Sequence, residues 1–213
     1  MAKMKIKEPS QKFYDELKPL IRNELGYLPE GNGIDLLLSR GEVLECGSGY
    51  RLVEMGRICP DVHILKEGVV RYSDFSDGKE RTFAFALPGT IFMSQHSFVK
   101  NLPSYYQVDC CCRCTILRIP RAEFWQALEE SQSLAIWMVH YAYGELFSRE
   151  HKNADIYNGD ARERYLNLLK ARPQILEKVS QRYIASYLGV SPEYFSKIKK
   201  SYLTRAEGES DNV

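Results

Sequence analysis

The residues of this chain with the clearest chemical potential lie near its C-terminus, in residues 181–200. The candidate DNA-binding residues there are Arg182, Ser191, Pro192, Glu193, Tyr194, Ser196, Lys197, Lys199 and Lys200. In a DNA major groove, Glu193 can accept a hydrogen bond from cytosine N4, and Lys197 can donate to guanine or to a phosphate. Lys199, Lys200 and Arg182 suit backbone phosphates, which provide affinity without sequence information. We therefore predict a DNA-reading surface in this segment.

The apolar residues of the same segment have the spacing of a helix-turn-helix. The positions predicted to hold its two helices together are Ile184, Ala185, Leu188, Val190, Phe195 and Ile198. Gly189 permits the sharp chain reversal, and Ser191 followed by Pro192 is a favoured start for the second helix. The competing interpretation is a helical hairpin without a nucleic-acid role, but the spacing and the local charge both favour DNA binding.

Basic residues are concentrated in the C-terminal part of a nearly neutral chain. The whole chain has a formal net charge of +1, whereas residues 162–205 contain ten Lys or Arg and three Asp or Glu. A local excess of positive charge fits binding to a polyanion. A solvated helical face would have a similar composition, so charge alone does not decide between the two.

Four clustered cysteines are the second feature with chemical potential. We place Cys110, Cys111, Cys112 and Cys114 on one predicted strand, where alternation sends Cys111 to one face and the other three to the opposite face. That spacing is wrong for the tetrahedral thiolate set of zinc or an iron–sulfur cluster. We interpret these cysteines as small residues of a core, and we predict no metal or other cofactor.

The histidines and the usual catalytic motifs give no sign of an enzyme. The four histidines, His63, His96, His140 and His151, show no metal-ligand spacing with a carboxylate between them. The sequence contains no nucleophile elbow, phosphate-binding loop or zinc-protease motif. Haem ligation by one of the histidines has no further support. We therefore predict that the chain is not an enzyme.

The elements that must position these residues change in type along the chain. Residues 11–22 and 34–39 have helical spacing, whereas residues 43–119 form short runs separated by turn residues, as in a sandwich or barrel. Asp77-Gly78 is the strongest hairpin signal among them. After Pro120 the pattern is helical again, with a short helix at 122–128 and a long helix that Ser131 caps.

The long helix, predicted over residues 131–157, has an unusually wide apolar stripe. Its apolar positions include Leu134, Ala135, Met138, Val139, Tyr141, Ala142 and Leu146. A stripe of this width is typical of a helix that packs on its own domain and on a second copy of itself. A core helix within one chain fits the periodicity equally well.

Asn158-Gly159 interrupts the helical pattern, and Asp160 is a plausible cap for the next helix at 162–171. We therefore expect three units: a barrel at 1–130, the long helix at 131–157, and a helix-turn-helix domain at 158–213. The polar tail from Glu207 is predicted to be disordered.

A barrel, a long helix and a helix-turn-helix in this order resemble the cyclic-AMP receptor protein / fumarate-nitrate reductase regulator (CRP/FNR) family. The matching motifs are residues 63–72 (HILKEGVVRY), 77–82 (DGKERT) and 87–92 (LPGTIF). The resemblance implies an α+β fold with a cyclic-nucleotide-binding-like β-barrel (jelly roll), a central dimerisation helix and a C-terminal winged helix-turn-helix. It matches Glu193 and Lys197 to base-reading positions. Pro192 replaces a frequent arginine, so the DNA preference should differ, and little chain follows Lys200 to form a wing.

The sensor end departs from the family pattern. Relatives that bind cyclic AMP have a Gly-Glu pair and, about ten residues later, an Arg-Ser pair whose arginine holds the phosphate. Met93-Ser94 and Ser104-Tyr105 stand at these places, and the cations Lys100 and Arg113 are out of register. We predict no tight cyclic-AMP binding. For an unknown small-molecule effector, the candidate pocket residues are Phe85, Ser94, Ser104, Tyr105 and Tyr106.

These observations favour a homodimeric, sequence-specific transcription regulator with double-stranded DNA as its partner and RNA polymerase as a further candidate partner. No stretch approaches the ~20 apolar residues of a membrane span, and the N-terminus lacks a signal-peptide pattern, so we expect a cytoplasmic protein. The alternatives are an effector-independent DNA-binding protein and a metal-dependent enzyme with a cupin-like barrel.

Overall fold

The computed structural model describes residues 4–76, 78–157 and 160–210. The N-terminal part begins with strand β1 (Met4–Lys7) and helices α1 (Gln11–Leu25) and α2 (Gly33–Ser39). Strands β2 (Glu42–Cys46), β3 (Arg51–Val53), β4 (Asp61–Glu67), β5 (Val70–Ser76), β6 (Lys79–Ala86) and β7 (Ile91–Phe92) follow, then helix α3 (Gln95–Lys100) and strands β8 (Gln107–Cys110) and β9 (Cys114–Pro120).

The strands form two antiparallel sheets, ordered β1-β2-β9-β4-β7 and β3-β8-β5-β6. Their inner faces carry β-branched and leucine side chains that water does not reach, among them Leu44, Ile64, Val70, Ile116 and Leu117. Apolar residues packed between two sheets form the core of a barrel-like unit. The predicted α+β class is thus confirmed, with its sheets in the N-terminal part of the chain.

Tight turns place the strands as the glycine pattern predicted. Strands β5 and β6 pair as a hairpin from Val70–Ala86 to Ser76–Lys79, with an irregularity after Tyr72; Asp77 of the predicted turn lies outside the described residues. Gly89 adopts φ +96°, and a Cβ there would lie 2.1 Å from the carbonyl oxygen of Leu20. Only glycine therefore allows α1 to approach the turn before β7 this closely.

The rest of the described chain is helical. It comprises α4 (Arg121–Glu130), α5 (Gln132–Tyr157), α6 (Ala161–Ala171), α7 (Pro173–Lys178), α8 (Gln181–Tyr187) and α9 (Pro192–Ser210). The Ser131 hydroxyl accepts from the Leu134 N–H at 3.3 Å, close to the start of α5. The Asp160 carboxylate accepts from the N–H groups of Arg162 and Glu163 and caps α6. The proposed break at Asn158-Gly159 lies outside the described residues.

Two expectations about the C-terminus are wrong. Within residues 160–210 the structure contains helices and no strand, so the strands of a wing are absent from that part of the chain. Residues 207–210, expected to be disordered, belong to α9. The helical pattern of Tyr202 and its neighbours continues that of Phe195 and Ile198, which explains the extension. None of the described helices is long and apolar enough to cross a membrane.

Candidate nucleic-acid interface

Helices α8 and α9 are held together by one apolar cluster. Its buried members from this pair are Ile184, Ala185, Leu188, Phe195 and Ile198. Tyr165 of α6 packs edge-on against Phe195 with ring centroids 5.6 Å apart. The apolar positions of residues 181–200 therefore form the interior of a small helical unit, and its polar positions are left for the surface.

The connection between the two helices is fixed by backbone geometry. Gly189 has φ +69°, a conformation that costs glycine little. The Ser191 hydroxyl accepts from the Tyr194 N–H at 3.2 Å, and Pro192 is the first residue of α9. The Arg164 guanidinium donates to the Leu188 carbonyl at 2.8 Å, so α6 secures the end of α8. The start of α9 is therefore rigidly placed.

The predicted DNA-contacting side chains lie on the outer surface of this unit. Arg182, Ser191, Pro192, Glu193, Tyr194, Ser196, Lys197 and Lys200 are exposed, and Lys199 is half-buried. Tyr194 is 52% exposed. Hydrogen bonds from its own backbone N–H and from Ser191 lower the pKa of Glu193, so this side chain is an ionised acceptor at neutral pH. Together the positions offer donors, an acceptor and positive charge on one accessible face.

In the segment expected to hold an effector, residues 93–106, hydrogen bonds join side chains to other groups of the same segment. The Ser104 hydroxyl lies 2.8 Å from the Ser94 hydroxyl and 2.6 Å from the Tyr106 carbonyl oxygen, and both serines are buried. The Tyr106 hydroxyl donates to the Met93 carbonyl at 3.0 Å. These polar groups therefore satisfy one another, in the segment where the resemblance implied a phosphate-binding pair.

Aromatic rings of the barrel strands pack against Tyr106 of this segment. Tyr106 lies 5.9 Å from Tyr72 and 5.4 Å from Phe83, and Tyr72 lies 6.3 Å from Phe92, measured between ring centroids. Contacts at these separations are packed aromatic pairs. The rings of Tyr72 and Phe83 thus pack directly against that of Tyr106.

The structure brings together four of the five candidate effector residues. Tyr105 is 69% exposed and stacks on His96 with ring centroids 4.5 Å apart. Together with Ser104 it lines an open surface cavity of about 450 Å³. Phe85 lies elsewhere, because its ring packs against Tyr187 of α8 at 5.3 Å.

The cysteine cluster does not lie on one strand. Cys110 ends β8, Cys114 begins β9, and Cys111 and Cys112 are in the turn between them, so the predicted alternation is wrong. A tight turn replaces the expected straight strand because β8 and β9 belong to different sheets.

Burial and mutual hydrogen bonds keep the thiols of Cys110 and Cys111 protonated. Cys46, Cys110 and Cys114 are buried. Hydrogen bonds with the Cys114 and Cys46 thiols, together with burial, raise the pKa of Cys110, and burial raises the pKa of Cys111 to about 12. Of the described side chains, no three from His, Cys, Asp and Glu are placed to hold a metal ion.

His63 is a buried residue of the barrel. Its ring stacks on Phe92 with centroids 5.1 Å apart, and burial lowers its pKa to about 4. The imidazole is therefore neutral near pH 7, consistent with the interpretation of an isolated histidine as structural.

Sequence reasoning missed a contact between the barrel and α8, which we call the docking interface. It joins Arg71, Thr82 and Phe85 of the barrel to Tyr183, Ser186 and Tyr187 of α8. The two sides are about a hundred residues apart in sequence, and neither side has a motif. Only the tertiary structure could reveal that they meet.

The barrel part of the chain is similar to a known domain family. The model of the cyclic nucleotide-binding domain family matches residues 44–131, which span β2 to α4. No curated protein sequence matches the chain.

Three solved structures are similar to this chain over 78–85% of its length. FixK2 from Bradyrhizobium japonicum aligns with a TM-score of 0.67 at 19% identity, over 78% of this chain and 86% of that one. The c-di-GMP-responsive global regulator CLP of Xanthomonas campestris gives 0.64 at 16%, over 82% and 92%. The catabolite activator protein of Thermus thermophilus gives 0.54 at 17%, over 85% and 87%. At these identities the similarity establishes a shared fold.

Proposed function

We propose that this chain, which has the fold of the CRP/FNR-family regulators and a cyclic nucleotide-binding domain at residues 44–131, is a sequence-specific DNA-binding transcription regulator. The observation that carries the proposal is the α8–α9 pair. Its apolar residues are buried in one cluster, whereas its polar and basic residues are exposed at the start of α9.

The geometry of the pair fits a helix-turn-helix that inserts α9 into the major groove. Glu193 and Lys197 are one helical turn apart on the exposed face, so both can reach base edges. Arg182, Lys199 and Lys200 provide contacts to phosphates on either side. Pro192 cannot donate a hydrogen bond, and the sequence preference therefore depends on Glu193, Ser196 and Lys197.

A row of apolar side chains on α5 supports homodimerisation. Ile136, Val139, Tyr143, Leu146 and Phe147 are each more than half exposed. Their spacing of three, four, three and one residues follows the seam of a helix pair. The opposite side of α5 packs on the barrel through Leu134 and Trp137. A second copy covering this row would give a near-palindromic DNA site with half-sites about one helical turn apart.

We infer that cyclic AMP is not a tight ligand of the barrel. The family's phosphate-binding arginine is replaced in Ser104-Tyr105, and Ser94, Ser104 and Tyr106 satisfy one another instead. This packing favours either a different effector or none, and effector-independent DNA binding is the second candidate function. A cupin-like enzyme has no support among the described side chains, and RNA polymerase is a further partner for which we assign no surface.

Selection from a pool of random-sequence duplexes tests the proposal. We expect recovery of a near-palindromic site whose affinity in gel shifts falls steeply with salt concentration, because phosphate contacts release counterions. Failure to enrich any site, with binding equally weak to all duplexes, would contradict sequence-specific regulation.

A further inference from the structure

Three buried cysteines meet beside the β8–β9 turn, which connects the two sheets of the barrel. Cys46 ends β2 and Cys114 begins β9, and the two residues are directly opposite each other in the antiparallel pair of these strands. Cys110 ends β8 in the other sheet, and its thiol hydrogen-bonds to the thiols of Cys46 and Cys114. All three side chains are at most 2% exposed. The three thiols therefore contact one another rather than water.

The register of Cys46 and Cys114 suits a disulfide. Residues directly opposite each other on antiparallel strands have Cα atoms about 4.5–5.5 Å apart, within the range of about 4.4–6.8 Å that a disulfide spans. Side chains at such positions also leave the sheet on the same face. A bond between the two sulfur atoms therefore requires rotation of the side chains but no separation of the strands.

Cys110 activates both members of this pair. A hydrogen bond with its thiol lowers the pKa of Cys46 and that of Cys114, and burial opposes this effect at both residues. The thiolate, not the thiol, is the nucleophile in disulfide formation. Since burial and the same hydrogen bonds raise the pKa of Cys110, Cys110 keeps its proton and donates to the sulfur atom that ionises.

Cys112 connects these thiols to the surface. It lies half-buried in the turn between β8 and β9. Its carbonyl oxygen is 3.4 Å from the Cys114 Sγ, and its thiol hydrogen-bonds to that of Cys114. A small oxidant that reaches Cys112 from solvent is therefore in contact with the buried cysteines through Cys114.

From these contacts we propose that the cysteines around the β8–β9 turn form a peroxide-sensitive modification site: hydrogen peroxide oxidises Cys112, and a disulfide between Cys46 and Cys114 is the product. The site is independent of the proposed DNA binding. It gives a chemical role to cysteines whose burial alone is explained by packing in a core.

Hydrogen peroxide is the only oxidant that the reaction needs. The Cys112 sulfur attacks one peroxide oxygen, the O–O bond breaks, water leaves, and Cys112 becomes a sulfenic acid. Cys114 attacks the Cys112 sulfur and a second water leaves. Cys46 then attacks the Cys114 sulfur, and Cys112 departs and recovers its proton. In total, Cys46 and Cys114 lose two electrons and two protons, and one peroxide molecule becomes two molecules of water.

Tryptic peptide mapping of the folded, full-length protein tests the site. Cleavage after Lys and Arg places Cys46 in residues 41–51, Cys114 in residues 114–118, and the other cysteines of the turn in residues 101–113. After treatment with hydrogen peroxide and alkylation of the remaining thiols, we expect a link between peptides 41–51 and 114–118 that dithiothreitol removes. Absence of any link, or a stable link of either peptide to residues 101–113, would overturn the proposal.

Two substitutions in the turn form a matched pair for the route of oxidation. Cys112→Ser should slow formation of the link about tenfold, because oxidation of a cysteine depends on the exposure of its sulfur. Cys111→Ser changes the neighbouring half-buried cysteine and should leave the rate unchanged. Thermal unfolding of the reduced proteins checks that both variants are folded. Equal rates in the two variants would overturn entry of the oxidant through Cys112 and with it the proposed site.

Discussion

The barrel interior and the α8–α9 pair use polar residues in opposite ways. In the barrel, the hydroxyl groups of Ser94, Ser104 and Tyr106 bond to one another or to backbone carbonyls, and the ring of Tyr106 joins aromatic packing. In the helix pair, polar residues from Ser191 to Lys200 face water, and only apolar residues are buried. A region that satisfies its own polar groups has few left for a ligand, whereas the helix pair presents them. This contrast supports our proposal that the helix pair, rather than the segment around Tyr106, carries the recognition surface.

The largest expected effect comes from the framework of the helix pair. Phe195→Ala removes a side chain that is 1% exposed and should cost roughly 3–5 kcal/mol of folding free energy. In a small helical unit this is enough to abolish DNA binding. Hydrogen exchange of residues 160–202 and gel shifts measure the two effects.

Phe98→Ala is the matched control in the barrel, since Phe98 is equally buried. Its cost in stability should be similar, but DNA binding by the helix pair should persist at temperatures where the barrel is folded. Equal loss of DNA binding in both variants would contradict the assignment of DNA binding to the helix pair and not to the barrel.

The exposed row on α5 gives the next largest effect. Tyr143→Glu places like charges from two copies at the centre of the proposed dimer seam and should weaken dimerisation at least tenfold, by an estimate of ~1.5 kcal/mol or more for opposed buried charges. Light scattering after size-exclusion chromatography measures the change. Glu145→Gln lies on another face of the helix and should leave the dimer intact; a wild-type mass for Tyr143→Glu would contradict the seam.

Partial burial of the Asp61 carboxyl group in the barrel costs folding free energy. Burial raises its pKa to about 6, against an ordinary value of 3.8, and Arg121 offsets only part of this rise. Between these values the folded state binds the extra proton, so stability falls as pH rises from about 4 to 6. The loss should be about 1 kcal/mol after allowance for partial exposure.

Thermal or urea unfolding across pH 4–7 measures the contribution of Asp61. In Asp61→Asn the difference between the variant and the unaltered protein should grow in favour of the variant as pH rises. A constant difference over this range would mean that the carboxyl is not destabilised by burial.

The smallest expected effect is that of cyclic AMP. Calorimetric titration should detect no binding at micromolar concentrations, and Tm should not change on addition of the nucleotide, because the phosphate-binding arginine is replaced. Micromolar affinity would show that the barrel has a ligand-binding site despite the packing around Tyr106.

Local patterns made much of this structure predictable. The spacing of Ile184, Leu188, Phe195 and Ile198 placed two helices and their common core, and Ser131 and Asp160 marked helix starts through capping. These signals depend on residues a few positions apart. The tight turn at Cys111 and Cys112 was missed because an apolar cysteine run gives no turn signal. The continuation of α9 to Ser210 was missed because the polar composition of the tail predicted disorder from Glu207.

Long-range contacts were beyond the reach of sequence patterns. Arg71 and Tyr183 are far apart in the chain, and either residue alone is typical of an exposed surface. The displacement of Phe85 from the other effector candidates has the same origin, because its neighbour Tyr187 comes from α8. Residue type predicted which side chains could recognise DNA, but not that Tyr183, Ser186 and Tyr187 of the same segment contact the barrel.

The central claim is that the exposed face of α9 recognises DNA, and Lys197→Ala on the selected duplex tests it most directly. We predict a loss of about 10- to 100-fold in affinity for the selected site, as for a base-contacting residue, with the fold unchanged by circular dichroism. Lys170→Ala, which removes another exposed lysine, from α6, should change affinity little. Full-affinity binding by Lys197→Ala would contradict the assignment of α9 as the recognition helix.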